Sequence, residues 1–176
     1  MNEIDFFTNT SSIPPPLIRP NAVGMHFFNP ICVLKLIELT HDPYDLNPSG
    51  RQIIESLRNA GFEVVITSSN PGYIGNYVLF HEISATLKLV DRFGYEPDLI
   101  DIVMNKMRNS PSVFEIVDRI GLDTTEAIML NIHHSDPAFY VSPTINSAIR
   151  AGILGMKNKT SLREFIHKRL STSASK

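Results

Sequence analysis

Residues 25–38 read MHFFNPICVLKLIE, and this stretch decides the fold of the first part of the chain. Its aromatic and branched aliphatic side chains favour β-strands, and Asn29-Pro30 between them favours a turn. The pattern therefore predicts a β-hairpin with strands over 22–28 and 33–40. The midpoint of the hairpin lies near Cys32, so His26 and Glu38 should face each other across the two strands.

A histidine beside a carboxylate can act as a general base, because the carboxylate orients the ring and stabilises the imidazolium. The same two residue types also form ion pairs on exposed surfaces, where they carry no chemistry. For His26 and Glu38 the residues by themselves leave both interpretations open.

Polar and proline-rich residues precede the hairpin, and one helix and one strand follow it. The Asn9–Ser12 cluster and the three prolines at 14–16 predict an irregular leader over residues 1–19. Asn47-Pro48 predicts the start of a helix that ends at Gly61, and residues 63–67 predict a short strand. Residues 1–69 are therefore interpreted as a small α+β domain with few strands.

From residue 70 onwards the chain predicts only helices joined by short loops, so residues 70–176 are interpreted as an all-α domain. A long helix is predicted over 73–93, and a second over 98–107 with its apolar side chains facing inward: Leu99, Ile102, Val103 and Met107. Further helices are predicted from Ser110-Pro111, from a capping box at 123–126, from Ser142-Pro143 and over 161–170, followed by a loose tail over 171–176.

Composition and charge narrow the classes of partner and compartment. The formal net charge of −2 favours neither a nucleic acid nor an anionic membrane as a partner. The single cysteine, Cys32, rules out an internal disulfide framework and suits the reducing cytoplasm. No stretch approaches the roughly 20 apolar residues of a membrane span, and the acidic N-terminus does not predict a secretion signal.

Common nucleotide and metal motifs are missing from the sequence. It contains no G-x-G-x-x-G and no Walker A loop. The adjacent His133 and His134 would diverge by about 100° on a helix, so no metal site is predicted. Asn76 lies in the first turns of the long helix, where backbone N–H groups without partners in the helix can bind anions and oxygen atoms that accept hydrogen bonds. It could bind a substrate oxygen, or it could simply face solvent.

Four stretches resemble the NAD-dependent 3-hydroxyacyl-CoA dehydrogenases of fatty-acid β-oxidation. MHFFNPICVLKLIELT (25–40) is similar to the family pattern H-F-F-N-P…(M/L)-K-L-x-E, and NPGYIGNYVL (70–79) to P-G-F-I-x-N-R-(L/I)-L. VFEIVDRIGLDTT (113–125) is similar to P-F-E-L-x-D-x-x-G-L-D, and NTSS (9–12) to the N-T-S-S that ends a strand of the family's Rossmann domain. The matches come in the family's order and cover about three quarters of the chain.

The resemblance implies a role for each of several residues. His26 would remove the proton of the 3-hydroxyl while hydride leaves C3 for NAD, Glu38 would orient His26, and Asn76 would help to hold His26 and the reacting oxygen. Ser11 would touch both the substrate and the nicotinamide. Cofactor contacts are implied for Asn29, Asn9 and Lys157 as well as Ser11. Acyl-CoA is the implied substrate, and the helical domain would make most of a homodimer interface.

The sequence also departs from the family pattern. The Rossmann glycine loop is absent, so residues 1–69 are interpreted as the end of a Rossmann domain and residues 70–176 as the helical dimerisation domain. We expect the isolated chain to have little dehydrogenase activity, because NAD affinity depends on that loop. An active enzyme would then need a separate NAD-binding polypeptide. The alternatives are a non-catalytic remnant that dimerises and an acyl-CoA-binding module.

Overall fold

The fold, taken from a computed structural model, is described for residues 5–174. The strands are β1 (Phe6–Thr8), β2 (Ala22–Phe27), β3 (Leu36–Leu39) and β4 (Glu63–Ile66). The helices are α1 (Pro15–Ile18), α2 (Ile31–Leu34), α3 (Pro48–Asn59), α4 (Gly75–Phe93), α5 (Pro97–Arg108), α6 (Val113–Ile120), α7 (Leu122–Ser135), α8 (Pro143–Arg150) and α9 (Leu162–Ala174). The predicted α+β class, with few strands followed by a helical domain, is confirmed.

The chain divides into two compact units, Met1–Tyr77 and Val78–Lys176. The first unit contains one sheet with the strand order β1-β2-β3-β4. Strands β1 and β2 are parallel, β2 and β3 are antiparallel, and β3 and β4 are parallel. Its core is formed by Val23, Leu39, Leu46 and Ile54, the last of these from α3.

The second unit is helical and has its own core. The side chains in that core come from α4 to α9, among them Phe80, Leu87, Phe114, Met129 and Ile166. Helix α8 begins as predicted, because Pro143 occupies the first turn and the Ser142 side chain accepts a hydrogen bond from the Thr144 N–H. None of the helices described in residues 5–174 combines the length and the apolar character that crossing a membrane requires.

The prediction of an irregular leader was wrong for the part of it that the structure describes. Residues Phe6–Thr8 form β1 and pair with Ala22–Gly24, and residues Pro15–Ile18 form one turn of helix. A strand of three residues is too short to show a periodic pattern, so only its pairing with β2 reveals it. Residues 1–4 lie outside the described residues.

The predicted hairpin is confirmed in its pairing and wrong in the length of its second strand. The register of β2 and β3 places His26 directly opposite Glu38. The second strand begins at Leu36 rather than at Val33, because Ile31–Leu34 form a helical turn that Lys35 ends in the left-handed conformation with φ of 43°.

The boundaries of three helices differ from the predictions. Helix α6 begins at Val113 with Ser112 as its N-cap, two residues after the predicted start. Helix α7 begins at Leu122, before the predicted capping box, and α9 continues into the predicted loose tail as far as Ala174. Residues 175 and 176 lie outside the described residues.

The prediction for the inner face of α5 was wrong. Four apolar side chains assigned to it are more than half exposed, and it is Ile100 that is buried. The exposed side chains are Leu99, Ile102, Val103 and Met107. The helical spacing of apolar residues identified a face of α5 correctly, but spacing alone does not indicate whether that face meets the core of the same chain.

Candidate active site

The centre of the site is a buried pair formed by His26 on β2 and Glu38 on β3. The ring nitrogen Nδ1 of His26 lies 2.9 Å from Oε2 of Glu38. The two residues are only 8% and 3% exposed, although both are ionisable. The alternative of a surface ion pair on an exposed hairpin face is therefore excluded.

The other carboxylate oxygen of Glu38 is held by the start of α4. Its Oε1 accepts hydrogen bonds from the backbone N–H groups of Ile74 and Gly75, at 2.9 and 2.8 Å. These are groups that a helix leaves without intrahelical partners at its N-terminus, where the helix dipole also favours a negative charge. Both oxygens of Glu38 are thus fixed, and the carboxylate cannot turn away from His26.

The surroundings of Glu38 favour its ionised form. Burial raises the pKa of the Glu38 carboxyl, but the hydrogen bonds from His26, Gly75 and Ile74 and the charge of His26 lower it more, so its pKa lies below its usual value. An ionised carboxylate only accepts hydrogen bonds, so Nδ1 of His26 must be the donor. In the neutral ring the proton is then on Nδ1, and Nε2 presents the lone pair that a general base needs.

Asn76 and Ser11 form a second polar pair in the same unit. The amide Nδ2 of Asn76 donates to Oγ of Ser11 at 2.5 Å, and the Gly72 N–H donates to the Ser11 carbonyl at 2.6 Å. Ser11 is buried and Asn76 is half-buried. Because Asn76 directly follows the two residues whose N–H groups bind Glu38, the structure brings both polar pairs to the start of α4.

Two aromatic rings enclose the imidazole of His26. The rings of Phe28 and Tyr73 meet it edge-on, with centroids 4.7 and 5.9 Å away. Both rings need a glycine opposite them, because a Cβ on Gly75 would overlap the ring of Phe28 and a Cβ on Gly24 would overlap the hydroxyl of Tyr73. This packing limits the access of water to the pair from these two sides.

Three further residues, to which the resemblance assigned cofactor contacts, lie in three different parts of the fold. The side chain of Asn9 accepts a hydrogen bond from the Phe27 N–H at 2.9 Å, so it fixes the end of β2. Asn29 is exposed in the turn after β2. Lys157 lies in the second unit, where its ammonium contacts Asp123 and Thr124 at 2.6 and 2.8 Å. The cofactor roles of Asn9, Asn29 and Lys157 stay predictions.

Sequence reasoning missed the groups that hold Glu38. The N–H donors of Ile74 and Gly75 belong to the backbone, and any residue other than proline would supply them. The only signal was the Asn70-Pro71-Gly72 run, which predicts the start of a helix but not the carboxylate that it binds. Tyr73 was also missed. Within residues 5–174 no group of three or more His, Cys, Asp or Glu side chains could hold a metal ion.

Comparison with known proteins identifies the family. Residues 72–164, slightly more than half of the chain, match the family described as the C-terminal domain of 3-hydroxyacyl-CoA dehydrogenase. The chain belongs to the 3-hydroxyacyl-CoA dehydrogenase family. This confirms the resemblance that the sequence motifs indicated.

Relatives of the 3-hydroxyacyl-CoA dehydrogenase family extend the match over most of the chain. A probable 3-hydroxybutyryl-CoA dehydrogenase of Deinococcus radiodurans is 31% identical over 86% of the chain and 58% of the relative. The mitochondrial hydroxyacyl-coenzyme A dehydrogenase of Rattus norvegicus is 30% identical over 86% of the chain and 52% of the relative. The chain spans about half the length of these curated relatives.

Solved structures show the same fold. The crystal structure of (S)-3-hydroxybutyryl-CoA dehydrogenase from Ralstonia eutropha has a TM-score of 0.79 and is 26% identical to the chain. That match covers 92% of the chain and 60% of the solved protein. The sheet and the helical unit are therefore shared with the 3-hydroxyacyl-CoA dehydrogenase family.

Proposed function

We propose that this chain supplies the acid–base centre for the interconversion of (S)-3-hydroxyacyl-CoA and 3-oxoacyl-CoA with NAD. The observation that carries the proposal is the buried His26–Glu38 pair, whose carboxylate is fixed by the N–H groups at the start of α4. A protein that used this pair only for stability would gain little, because burying two ionisable groups costs several kcal/mol of desolvation for each ion.

In the proposed reaction, Nε2 of His26 takes the proton of the substrate's 3-hydroxyl. The imidazolium that forms is stabilised by the adjacent Glu38 carboxylate, which keeps the ring in place throughout. NAD, bound by residues outside this chain, would supply the acceptor for the hydride that leaves C3. In the reverse direction, Nε2 returns its proton to the oxygen of the 3-oxo group.

Asn76 and Ser11 would orient the oxygen on which His26 acts. Both side chains can donate a hydrogen bond, and the hydrogen bond between them fixes their relative positions. The site lies at the N-terminus of α4, where the helix dipole favours the partial negative charge that develops on this oxygen. These groups therefore favour the charge distribution of the transition state over that of the alcohol.

The residues of this chain do not fit the pyrophosphate of NAD. The sequence contains no glycine-rich phosphate loop, and the side chains of Asn9 and Lys157 already contact groups of their own unit. We therefore place no step of the reaction on NAD binding by this chain alone. In the proposal, the pyrophosphate is bound by residues that these 176 do not include, such as a separate NAD-binding polypeptide.

The proposal also includes the two domains and a homodimer. Residues 1–69 would be the end of a dinucleotide-binding domain, and residues 70–176 the helical domain that dimerises. The apolar side chains on the outer face of α5 support dimerisation, since a contiguous exposed apolar face on a helix is typical of an interface. The exposed Cys32 would stay reduced in the cytoplasm, the proposed compartment.

The reaction is tested by complementation. The purified chain is mixed with the part of the Deinococcus radiodurans relative that lies outside the match, and reduction of acetoacetyl-CoA by NADH is followed. We expect little turnover by the chain alone and measurable turnover by the mixture. His26→Ala should lower that turnover by about 10²- to 10⁴-fold, and His41→Ala, in the loop after β3, should not.

The other two interpretations give different results. If the mixture is inactive while calorimetry detects acetoacetyl-CoA binding to the chain, the acyl-CoA-binding module is supported instead. If neither activity nor binding is found for the folded chain, the non-catalytic remnant is supported. Either result would refute the proposed reaction.

A further inference from the structure

The turn Gly72–Asn76 connects the two polar pairs of the site. Toward β3, its Ile74 and Gly75 N–H groups bind Glu38. Toward the loop after β1, Asn76 and Gly72 bind Ser11, and the hydroxyl of Tyr73 donates to the Thr10 carbonyl at 2.8 Å. The position of this turn therefore determines the geometry of both pairs.

Tyr73 is the second residue of this turn and is only 4% exposed. Its backbone has a positive φ of 47°, which is uncommon for a residue with a side chain and persists where surrounding contacts enforce it. Its ring contacts His26 edge-on, and its hydroxyl reaches a carbonyl 63 residues earlier in the chain. The residue thus contacts the loop that carries Ser11, the imidazole and the backbone that binds Glu38.

We propose that Tyr73 is a positioning residue for the acid–base pair. The hydrogen bond from its hydroxyl to the Thr10 carbonyl holds the Gly72–Asn76 turn in place, so that the Ile74 and Gly75 N–H groups continue to donate to Glu38. The inference rests on the proposed function of His26 and Glu38. It assigns to the hydroxyl, rather than to the ring, the role of fixing the carboxylate.

The hydrogen bond from Tyr73 to Thr10 is needed because of the residue type that starts helix α4. Helix α4 begins at Gly75, and glycine has more backbone freedom than any other residue. One of the two N–H donors to Glu38 is therefore carried by the most flexible residue type. A hydrogen bond from Tyr73 to a different segment restricts this freedom from outside the helix.

Tyr73 is suited to hold a position and not to exchange a proton. Burial and the charge of Glu38 raise the pKa of the Tyr73 hydroxyl to about 12. The hydroxyl therefore stays protonated, and remains a donor to the Thr10 carbonyl, over the whole range in which Glu38 changes charge.

The substitution Tyr73→Phe removes the hydroxyl and keeps the ring that fills the space over Gly24. Tyr140→Phe is the matched control, because Tyr140 lies in the second unit, donates its hydroxyl to Asp91 at 3.0 Å, and also has its pKa raised to about 12, mainly by burial. The Glu38 carboxyl is titrated by carbon NMR in both variants of the full chain, and amide exchange is measured residue by residue.

We expect Tyr73→Phe to raise the Glu38 midpoint by about half a pKa unit or more, since weakened hydrogen bonds no longer favour the ionised form. Exchange of the Ile74 and Gly75 amides should accelerate about tenfold, while amides of β4 should keep their rates. Tyr140→Phe should leave the Glu38 midpoint unchanged. An unaltered Glu38 midpoint and unaltered exchange at Ile74 and Gly75 in Tyr73→Phe would overturn the proposal.

The unsubstituted protein provides a test that does not depend on the folding of the variant. The Tyr73 hydroxyl proton should exchange slowly enough to be observed by NMR, and deuterating it should shift the carbonyl carbon signal of Thr10. A Tyr73 hydroxyl that exchanges as fast as that of the exposed Tyr44 would contradict the proposal. No turnover is measured in these experiments, so they decide the role of Tyr73 even if the chain proves to be inactive.

Discussion

Glu38→Gln removes the charge at the centre of the site while preserving the shape of the side chain. Glu38 accepts three hydrogen bonds, one from His26 and two from the N–H groups of Ile74 and Gly75. A glutamine has only one acceptor oxygen. If that oxygen keeps the two backbone donors, its NH₂ group faces Nδ1 of His26, which must then give up its proton and accept.

The size of the effect follows from those three hydrogen bonds. A hydrogen bond to a charged group contributes about 1.5–3 kcal/mol, compared with about 0.5–1.5 kcal/mol for a neutral one. Removing the charge from the three bonds should therefore lower the free energy of unfolding of the first unit by about 3 kcal/mol near pH 7. It should also move the ring proton to Nε2, which leaves His26 unable to act as a base.

The effect of Glu38→Gln should depend on pH with a definite sign. The pKa of Glu38 in the folded protein is lower than its usual value, which is about 4.5. The stability that its ionised form contributes is thus fully present above that usual value and is lost as the pH falls through the folded pKa. The difference in unfolding free energy between the original protein and Glu38→Gln should therefore shrink below about pH 4.

The assay is urea denaturation at a series of pH values, followed through the amide NMR signals of β2 and β3. Glu63→Gln is the matched control, because Glu63 is exposed at the start of β4 and should change the unfolding free energy by less than about 0.5 kcal/mol. A difference for Glu38→Gln that is small at pH 7, or that is constant between pH 7 and pH 3, would refute the reasoning.

Three further predictions concern the proposed substrate contact, the helical unit and the proposed homodimer. Asn76→Ala should weaken acetoacetyl-CoA binding about tenfold, measured by calorimetry, because the proposed hydrogen bond to the substrate oxygen is lost; the exposed Asn59→Ala is the control. Asp91→Ala should destabilise the second unit by about 3 kcal/mol in thermal unfolding, because it leaves three buried or half-buried hydroxyls without their acceptor. Met107→Glu on α5 should convert the proposed homodimer to monomers in sedimentation experiments, and Leu130→Glu, which is also exposed in the second unit, should not. Unchanged substrate affinity, melting temperature or mass would contradict the corresponding prediction.

The elements that the sequence predicted well carry their signal within a few neighbouring residues. The antiparallel register of His26 and Glu38 followed from the symmetry of the strand-forming residues about a turn. The start of α8 followed from Ser142-Pro143, where the cap and the first helical residue are adjacent in sequence. These parts of the fold depend on local backbone preferences, which can be inferred from the residue types of a few neighbouring positions.

The errors lie where contacts between distant residues decide the outcome. Strand β1 has three residues and exists because β2 offers it unpaired backbone groups. The outer face of α5 is as apolar as a core face, so spacing could not distinguish the two. Helix α7 begins at Leu122, so Asp123, expected to cap that helix, lies in its first turn, and its side chain pairs with Lys157.

By itself, the sequence determined the two-part architecture, the pairing of a histidine with a glutamate, and membership of a dehydrogenase family. These features follow from motifs and periodic patterns formed by residues that are close together in the sequence. Only the tertiary structure determined that this pair is buried, that backbone N–H groups of Ile74 and Gly75 fix its carboxylate, and that Ser11 meets Asn76 from 65 residues away. The reason is physical: burial depends on how distant parts of the chain pack, and every residue except proline has a backbone N–H group, so no local residue pattern marks either feature.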